Sequence, residues 1–360
     1  MHQFRNDYSE GAAPEILDAL VRTNGEQTVG YGGDPHCARA AGLIRAEIGQ
    51  GDADVRFVPG GTAANILAVS ALTEEFEGPI LAADAHPTIH ETGAIEGCGR
   101  RLLATDDPLG LLTPDAAERA WATVTANGSH STRPGMVYIS DTTELGHVWT
   151  RGEFDAICDW AHGHGLAVYV DGARIASAMT ADGADLDIRH LAERADAFTL
   201  GGTKNGMLFG EALVVSPRTE RGRRAIDRLP YLTKRAGALM AKGRLMGVMY
   251  EAAFDPANAD GCGTLPYWRY AARANAASVR LARGFAAAGF EPLLQTAGNQ
   301  QFFWVDAEQG ARLAEHLGAE LMEARDPAGA GRVLARLVTS WAATDADVDE
   351  AISFARTLAS

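Results

Sequence analysis

The sequence predicts an α/β fold, with a large domain on a mostly parallel sheet and a small C-terminal α+β domain. Three observations carry that expectation. Short apolar runs alternate with amphipathic helical stretches, the pattern of parallel strands joined by crossover helices. The runs are continuously apolar and often β-branched, as strands covered on both faces are. Beyond residue 230 the texture changes to an Ala/Met/Arg-rich helical region and then a turn-rich break.

Taken in order, helical periodicity marks Pro14–Thr23, Cys37–Ile48 and Thr62–Thr73. Strands are predicted at Val55–Val58, Pro79–Ala82, Met136–Ser140, Ala167–Val170, Ala197–Leu200 and Ala212–Val215. Between them lie helices Pro114–Ala126 and Arg151–His164, the second ending on Gly165 as a C-cap. One long helical region is expected over Leu232–Ala253, ending at the turn-rich Asp255–Gly261. Helix Tyr267–Ala288, strand Gln300–Val305, helix Ala311–Leu317, strand Val333–Thr339 and helix Asp345–Leu358 follow, with Thr344 as the last N-cap. The expected division is residues 1–253, with an N-terminal arm over 1–20, and residues 254–360.

The 360 residues are 46% hydrophobic and 22% charged, which permits a sizeable core and argues against disorder. A length prior of roughly 150 residues per domain gives about two domains. The net charge of −15 repels phosphates over the whole surface, so neither nucleic acid nor an acidic membrane is an expected partner. Cys37, Cys98, Cys158 and Cys262 form no C-x-x-C pair and read as thiols of a reducing compartment. The N-terminus has no apolar signal region and no run reaches membrane-span length. The expectation is a soluble, cytoplasmic enzyme acting on a small molecule.

The chemistry concentrates at predicted strand ends. Val168-Tyr169-Val170-Asp171-Gly172-Ala173-Arg174 is an apolar strand ending in a carboxylate and glycine, and ligands of open α/β sheets bind at carboxyl ends of strands. The next strand runs into Gly201-Gly202-Thr203-Lys204-Asn205-Gly206. A lysine so placed can be desolvated and act as a Schiff-base nucleophile. A carboxylate and a lysine at adjacent strand ends fit pyridoxal phosphate: the lysine holds the aldehyde and Asp171 keeps the pyridine nitrogen protonated. Phe57-Val58-Pro59-Gly60-Gly61-Thr62 is a strand, a glycine turn and a helix start, where backbone N–H groups and the Thr62 hydroxyl can hold a phosphate. Thr203 can add another hydrogen bond. No dinucleotide or P-loop fingerprint occurs. His86 follows a strand end too, and its imidazole can stack on a ring or carry protons. His86 and His90 are spaced i, i+4, but Pro87 intervenes and no H-E-x-x-H is present, so no metal is expected. His162 and His164, at a helix end, read as solvated.

Together these motifs resemble the pyridoxal-phosphate enzymes of fold type I in the threonine aldolase and aromatic amino acid β-eliminating lyase superfamily. The likeness runs from Asn6-Asp7-Tyr8-Ser9 and Tyr31-Gly32-Gly33-Asp34-Pro35 through the segments above and Gly93-Ala94-Ile95 to Arg336-Leu337-Val338-Thr339. It implies Lys204 as the Schiff-base lysine, Asp171 on the pyridine nitrogen, His86 on the ring, and Gly60, Gly61, Thr62 and Thr203 around the phosphate. It implies Ser9, Arg174 and Arg336 on the substrate carboxylate, with Tyr31 and His90 also facing the substrate. Sites in this superfamily are completed across a dimer, so a homodimer or homotetramer is implied, with Tyr31 and a cation from Lys234, Arg235 or Lys242 reaching the neighbouring cofactor.

One departure stands out. Typical threonine aldolases carry Glu-Asn-Thr-His where this chain reads Asp141-Thr142-Thr143-Glu144. Glu144 takes the place of a histidine linked to the substrate hydroxyl. A carboxylate can accept that proton, or its presence marks another side-chain preference or another reaction. His90 stands where an aromatic residue is common, and Lys204-Asn205-Gly206-Met207 echoes the β-eliminating lyases. The leading expectation is an aldolase cleaving L-β-hydroxy-α-amino acids of the threonine, allo-threonine or phenylserine type to glycine and an aldehyde, with Lys204, His86 and Glu144 catalytic. The alternatives are β-elimination to a keto acid and ammonia, or a cofactor-binding protein without turnover.

Overall fold

The computed structural model describes residues 2–105, 108–324 and 326–358. Helices α1 (Pro14–Thr23) and α2 (Pro35–Ile48) precede strand β1 (Asp54–Val58), and α3 (Gly61–Leu72) leads into β2 (Glu77–Ala82). The one-turn α4 (His86–Ile89), β3 (Leu103–Thr105), α5 (Pro114–Thr125), β4 (Arg133–Ser140), α6 (Arg151–Gly163) and β5 (Ala167–Asp171) follow. Two short helices, α7 (Ile175–Met179) and α8 (Ile188–Arg194), lead to β6 (Ala197–Gly201) and β7 (Glu211–Val215). Then come α9 (Glu220–Arg235), α10 (Arg244–Phe254), α11 (Pro266–Ala287), β8 (Glu291–Pro292) and β9 (Gln300–Val305). The chain closes with α12 (Ala307–Leu317), β10 (Glu320–Met322), β11 (Val333–Val338) and α13 (Asp345–Leu358).

β1 to β7 form one sheet in the order β1-β7-β6-β5-β4-β2-β3. The ladder from β3 through β2, β4 and β5 to β6 is parallel, whereas β7 is antiparallel to both its neighbours. The reason is chain length. Residues 202–210 connect β6 to β7 directly, and a parallel return needs a crossover of roughly a dozen residues or more. That short connection carries Lys204.

Side-chain alternation divides the sheet's core in two. Val137, Ile139, Val168 and Val170 join one buried cluster, while Met136, Tyr138, Ala167 and Tyr169 join another, as the two-residue period of a strand requires. A second, antiparallel sheet in the order β10-β11-β9-β8 packs on a third cluster that includes Phe285, Phe303, Leu313 and Leu337. Phe4 belongs to that third cluster, tied by hydrogen bonds to Leu317 and Val338 of 2.7 Å each.

Two expectations are corrected. The long helix over Leu232–Ala253 is broken: α9 stops at Arg235, Gly237 turns left-handed at φ +70°, and α10 starts only at Arg244. A left-handed glycine ends helices readily, and its signal was submerged in helix-favouring neighbours. His162 and His164 are not simply solvated. His162 Nε2 lies 3.1 Å from the buried Asp196 carboxylate, and His164 contacts the Trp160 carbonyl at 2.8 Å and the Glu118 carboxylate at 3.2 Å. Among the described residues, no helix is long and apolar enough to cross a membrane.

Candidate active site

The carboxyl edge of the large sheet opens on a cavity of about 520 Å³. Segments that meet there include the β1–α3 turn, α4, the end of β4 with the loop after it, the end of β5 and the β6–β7 connection. Gly172 and Gly201 let two of these strand ends close on each other. A Cβ on Gly172 would stand 2.0 Å from the Thr199 carbonyl oxygen, and one on Gly201 would stand 2.3 Å from that of Ala173. Neither position admits a side chain.

Lys204 lines the cavity. Burial, reinforced by the Arg174 charge, holds its amine below the usual lysine range. Asp171 lines it as well, at the end of β5, with one carboxylate oxygen accepting from the Tyr138 hydroxyl at 2.5 Å and from the Asn65 amide at 3.0 Å. The other oxygen accepts from Ala173 N–H at 3.0 Å. Behind them the chain continues. Asn65 donates to Glu91 at 2.7 Å and accepts from the Tyr169 hydroxyl at 2.9 Å, and Glu91 holds His86 Nδ1 at 2.8 Å. That bond to Glu91, with the nearby Glu144 and Asp171 charges, outweighs desolvation and raises the imidazole pKa. A buried network of this kind fixes the orientation of Asp171 and His86, with Glu91 Oε1 shared between Asn65 and His86.

The first turn of α3 opens on the cavity. Gly60, Gly61 and Thr62 line the cavity, no side chain caps this helix, and no atom lies within 4 Å of where a Cβ on Gly60 or Gly61 would stand. Open N–H groups at a helix N-terminus favour an anion. Thr203, Glu144 and His90 line the cavity too, and the His90 and His86 rings lie 5.4 Å apart.

The two predicted carboxylate-binding arginines differ. Arg174, its side chain 9% exposed, is forked onto the buried Asp7, with bonds of 2.7 and 3.1 Å. Asp7 also accepts from Asn299 at 2.9 Å. Burial works to raise the Asp7 carboxyl, but the Arg174 and Lys204 charges with those bonds hold it below the usual range. Arg336 sits on β11 opposite Glu320 of β10, which its terminal nitrogen Nη2 contacts, while its Nε is buried without a partner among the described residues. Both arginines line the cavity.

Two predicted residues are elsewhere. Ser9 is exposed and donates to Asn6 at 2.9 Å; its neighbour Tyr8 lines the cavity instead. Tyr31, left-handed at φ +61° and 53% exposed, lines a separate cavity with Lys234 Nζ 4.7 Å from its ring centre. Sequence reading missed Asn65, Glu91, Tyr138, Glu211 and Glu320. Asn65 lies three residues beyond the Gly60-Gly61-Thr62 turn, and none of the five carried a local pattern.

The sequence of residues 3–347 matches the model of the beta-eliminating lyase family. The chain belongs to that family. A low specificity L-threonine aldolase of Pseudomonas sp. (strain NCIMB 10558) is 32% identical over 275 residues, 76% of this chain and 75% of that protein. A solved threonine aldolase of Leishmania major superimposes with a TM-score of 0.92 at 34% identity, covering 100% of both chains. A solved structure of SPT with PLP as an internal aldimine shares the fold at 16% identity, with a TM-score of 0.67 over 99% of this chain and 86% of that one. The residues present fit the pyridoxal phosphate that the sequence resemblance implies. A desolvated lysine, a fixed carboxylate and an uncapped helix start with room at Gly60 and Gly61 share one cavity. Ser140, which lines that cavity, has a buried hydroxyl with no partner among the described residues.

Proposed function

We propose that the protein cleaves L-β-hydroxy-α-amino acids to glycine and an aldehyde with pyridoxal phosphate as cofactor. The observation that carries this reading is the convergence of Lys204, Asp171, His86, Glu144 and two arginines on one cavity. The kinship with proteins named threonine aldolase supports it.

Bound pyridoxal phosphate would supply an electron sink for the bond broken at Cα. Lys204 would hold its aldehyde, because desolvation leaves the amine less protonated and more nucleophilic. Asp171, fixed by Tyr138 and Asn65, would keep a proton on the pyridine nitrogen. The phosphate would sit on the amides of Gly60–Thr62 and the Thr203 hydroxyl. Arg336 would take the substrate carboxylate through its unpartnered Nε, since a guanidinium binds a carboxylate with directed, charge-assisted bonds. Arg174 would hold the same side of the cavity positive and help turn the Cα–Cβ bond into line. Glu144 would accept the β-hydroxyl proton, which releases the aldehyde, and a proton returned to Cα, with His86 taking part in that transfer, would complete glycine. We further infer that Tyr31 and Lys234, outside this cavity and stacked together, serve a partner subunit's site in a dimer or tetramer.

The experiment is product identification with threonine, allo-threonine and phenylserine. Glycine plus aldehyde is the expected result, absent in Lys204→Ala and strongly slowed in Glu144→Ala. A keto acid plus ammonia would overturn the aldol reading in favour of β-elimination. Intact amino acids beside a bound, coloured cofactor would leave a binding protein without turnover.

A further inference from the structure

Glu211 is a carboxyl group in the cavity that no step above uses. It is the first residue of β7, paired in register with Val58 at the end of β1 and with Gly201 at the end of β6. Those two strand ends run into the segments assigned to the phosphate, Gly60–Thr62 and Thr203. Glu211 is 4% exposed and lines the cavity beside Lys204. Its Oε2 accepts Gly202 N–H at 2.8 Å, and its carboxyl is hydrogen-bonded to the Thr203 hydroxyl. Thr203 Oγ1 also accepts Gly210 N–H at 3.0 Å. The groups facing it are the charges of Lys204 and Asp171, and the buried phenols of Tyr169 on β5, Tyr250 on α10 and Tyr267 on α11.

A hydroxyl has one proton and two lone pairs. Gly210 occupies one lone pair of Thr203. While Glu211 is ionised it can only accept, so the Thr203 proton must point at it. A protonated Glu211 can instead donate to the second lone pair, which frees the Thr203 proton for an anion. An ionised carboxylate beside a phosphate is also a like-charge pair in a water-poor site, and one of the two then binds a proton.

We propose that Glu211 takes up one proton from solvent when a phosphate-bearing aldehyde cofactor binds, turning the Thr203 hydroxyl from Glu211 to the phosphate. This rests on reading the cavity as a pyridoxal phosphate site. Glu211 acts through Thr203, so it is a positioning residue. Burial pushes its carboxyl up to about 7, which places the uptake within an accessible pH range.

The test compares pyridoxal phosphate with pyridoxal, which lacks the phosphate, on the full chain freed of cofactor. Binding is followed by Schiff-base absorbance in wild type and Glu211→Gln, between about pH 7 and about pH 9. Titration of Lys204 affects both aldehydes alike. The second ionisation of a phosphate ester, at about pH 6, is nearly complete over this range. In wild type the preference for pyridoxal phosphate over pyridoxal is expected to fall by up to about tenfold per pH unit. In Glu211→Gln, whose amide can donate to Thr203 at every pH, the preference is expected to stay flat. Calorimetry of wild type in two buffers of different ionisation heat should show close to one more proton taken up with pyridoxal phosphate than with pyridoxal at about pH 8. Equal proton uptake for the two aldehydes, or a slope that persists in Glu211→Gln, would overturn the proposal. No Schiff-base absorbance with either aldehyde in wild type would overturn the cofactor reading itself.

Discussion

Arg174 and Arg336 line the same cavity, and their partners set them apart. Arg174 meets Asp7 through two hydrogen bonds inside the protein, and Asn299 completes that carboxylate. Arg336 meets Glu320 on a neighbouring strand and keeps a buried Nε unspent. The first arginine fastens the N-terminal segment to the end of β5 and lends the cavity its charge; the second has a donor left for a ligand. Two buried aspartates repeat the contrast. Asp7 has a cation against it and stays ionised, whereas Asp141 has none, and burial pushes its carboxyl up to about 8.

The largest effect that could break this comparison is on stability. Arg174→Met leaves Asp7 buried without its cation, an omission that costs about 3–5 kcal/mol. Chemical denaturation should show that loss, and an unfolding free energy like wild type would show that the pair is not holding the arm. Asp141→Asn should do the opposite. The native state keeps a proton on Asp141 that the unfolded chain has lost between about pH 4 and about pH 8. The wild type is therefore penalised progressively as pH rises through that window. The variant's advantage, of a few kcal/mol at most, should grow up to about pH 8 and then level off. A thermal unfolding difference that is constant from about pH 5 to about pH 8 would contradict the assignment.

Arg336→Met should leave stability nearly unchanged but lower kcat/KM by about 10- to 100-fold, with KM carrying most of the loss, as expected for a charge-assisted bond of roughly 1.5–3 kcal/mol. An unchanged KM would transfer the carboxylate to Arg174. The smallest effect belongs to Glu320→Gln. Its partner pair is half exposed on one side, and such pairs contribute at most about 1 kcal/mol. KM should shift by less than about fivefold, which saturation kinetics would resolve. A larger rise would make Glu320 the residue that aims Arg336.

The parts of the site written as local patterns were legible in the sequence. Asp171 and Lys204 each follow an apolar run, and Gly60-Gly61-Thr62 lies between a strand and a helix, so the rule that ligands gather at carboxyl strand ends located all three. The break between α9 and α10 was not legible, because Gly237 is surrounded by residues that favour helix. The network behind Asp171 and His86 was not legible either. Tyr138, Asn65 and Glu91 reach Asp171 and His86 from different elements, Tyr138 and Asn65 across dozens of residues, and nothing in their neighbours marks them. Ser9 is exposed and bonded to Asn6, and its neighbour Tyr8 lines the cavity, a choice of side the sequence does not show.

By itself, the sequence determined the alternation that builds the sheet, the strand ends that carry chemistry, and the likeness to a family. Those properties are local: each depends on the polarity and branching of a few consecutive side chains. Only the tertiary structure decided which arginine is spoken for, which carboxyls are held charged, and that Glu211 is paired with the strand ends that lead into both Gly60–Thr62 and Thr203. Pairing register and burial set those outcomes, and both arise from contacts between segments that are remote in the chain.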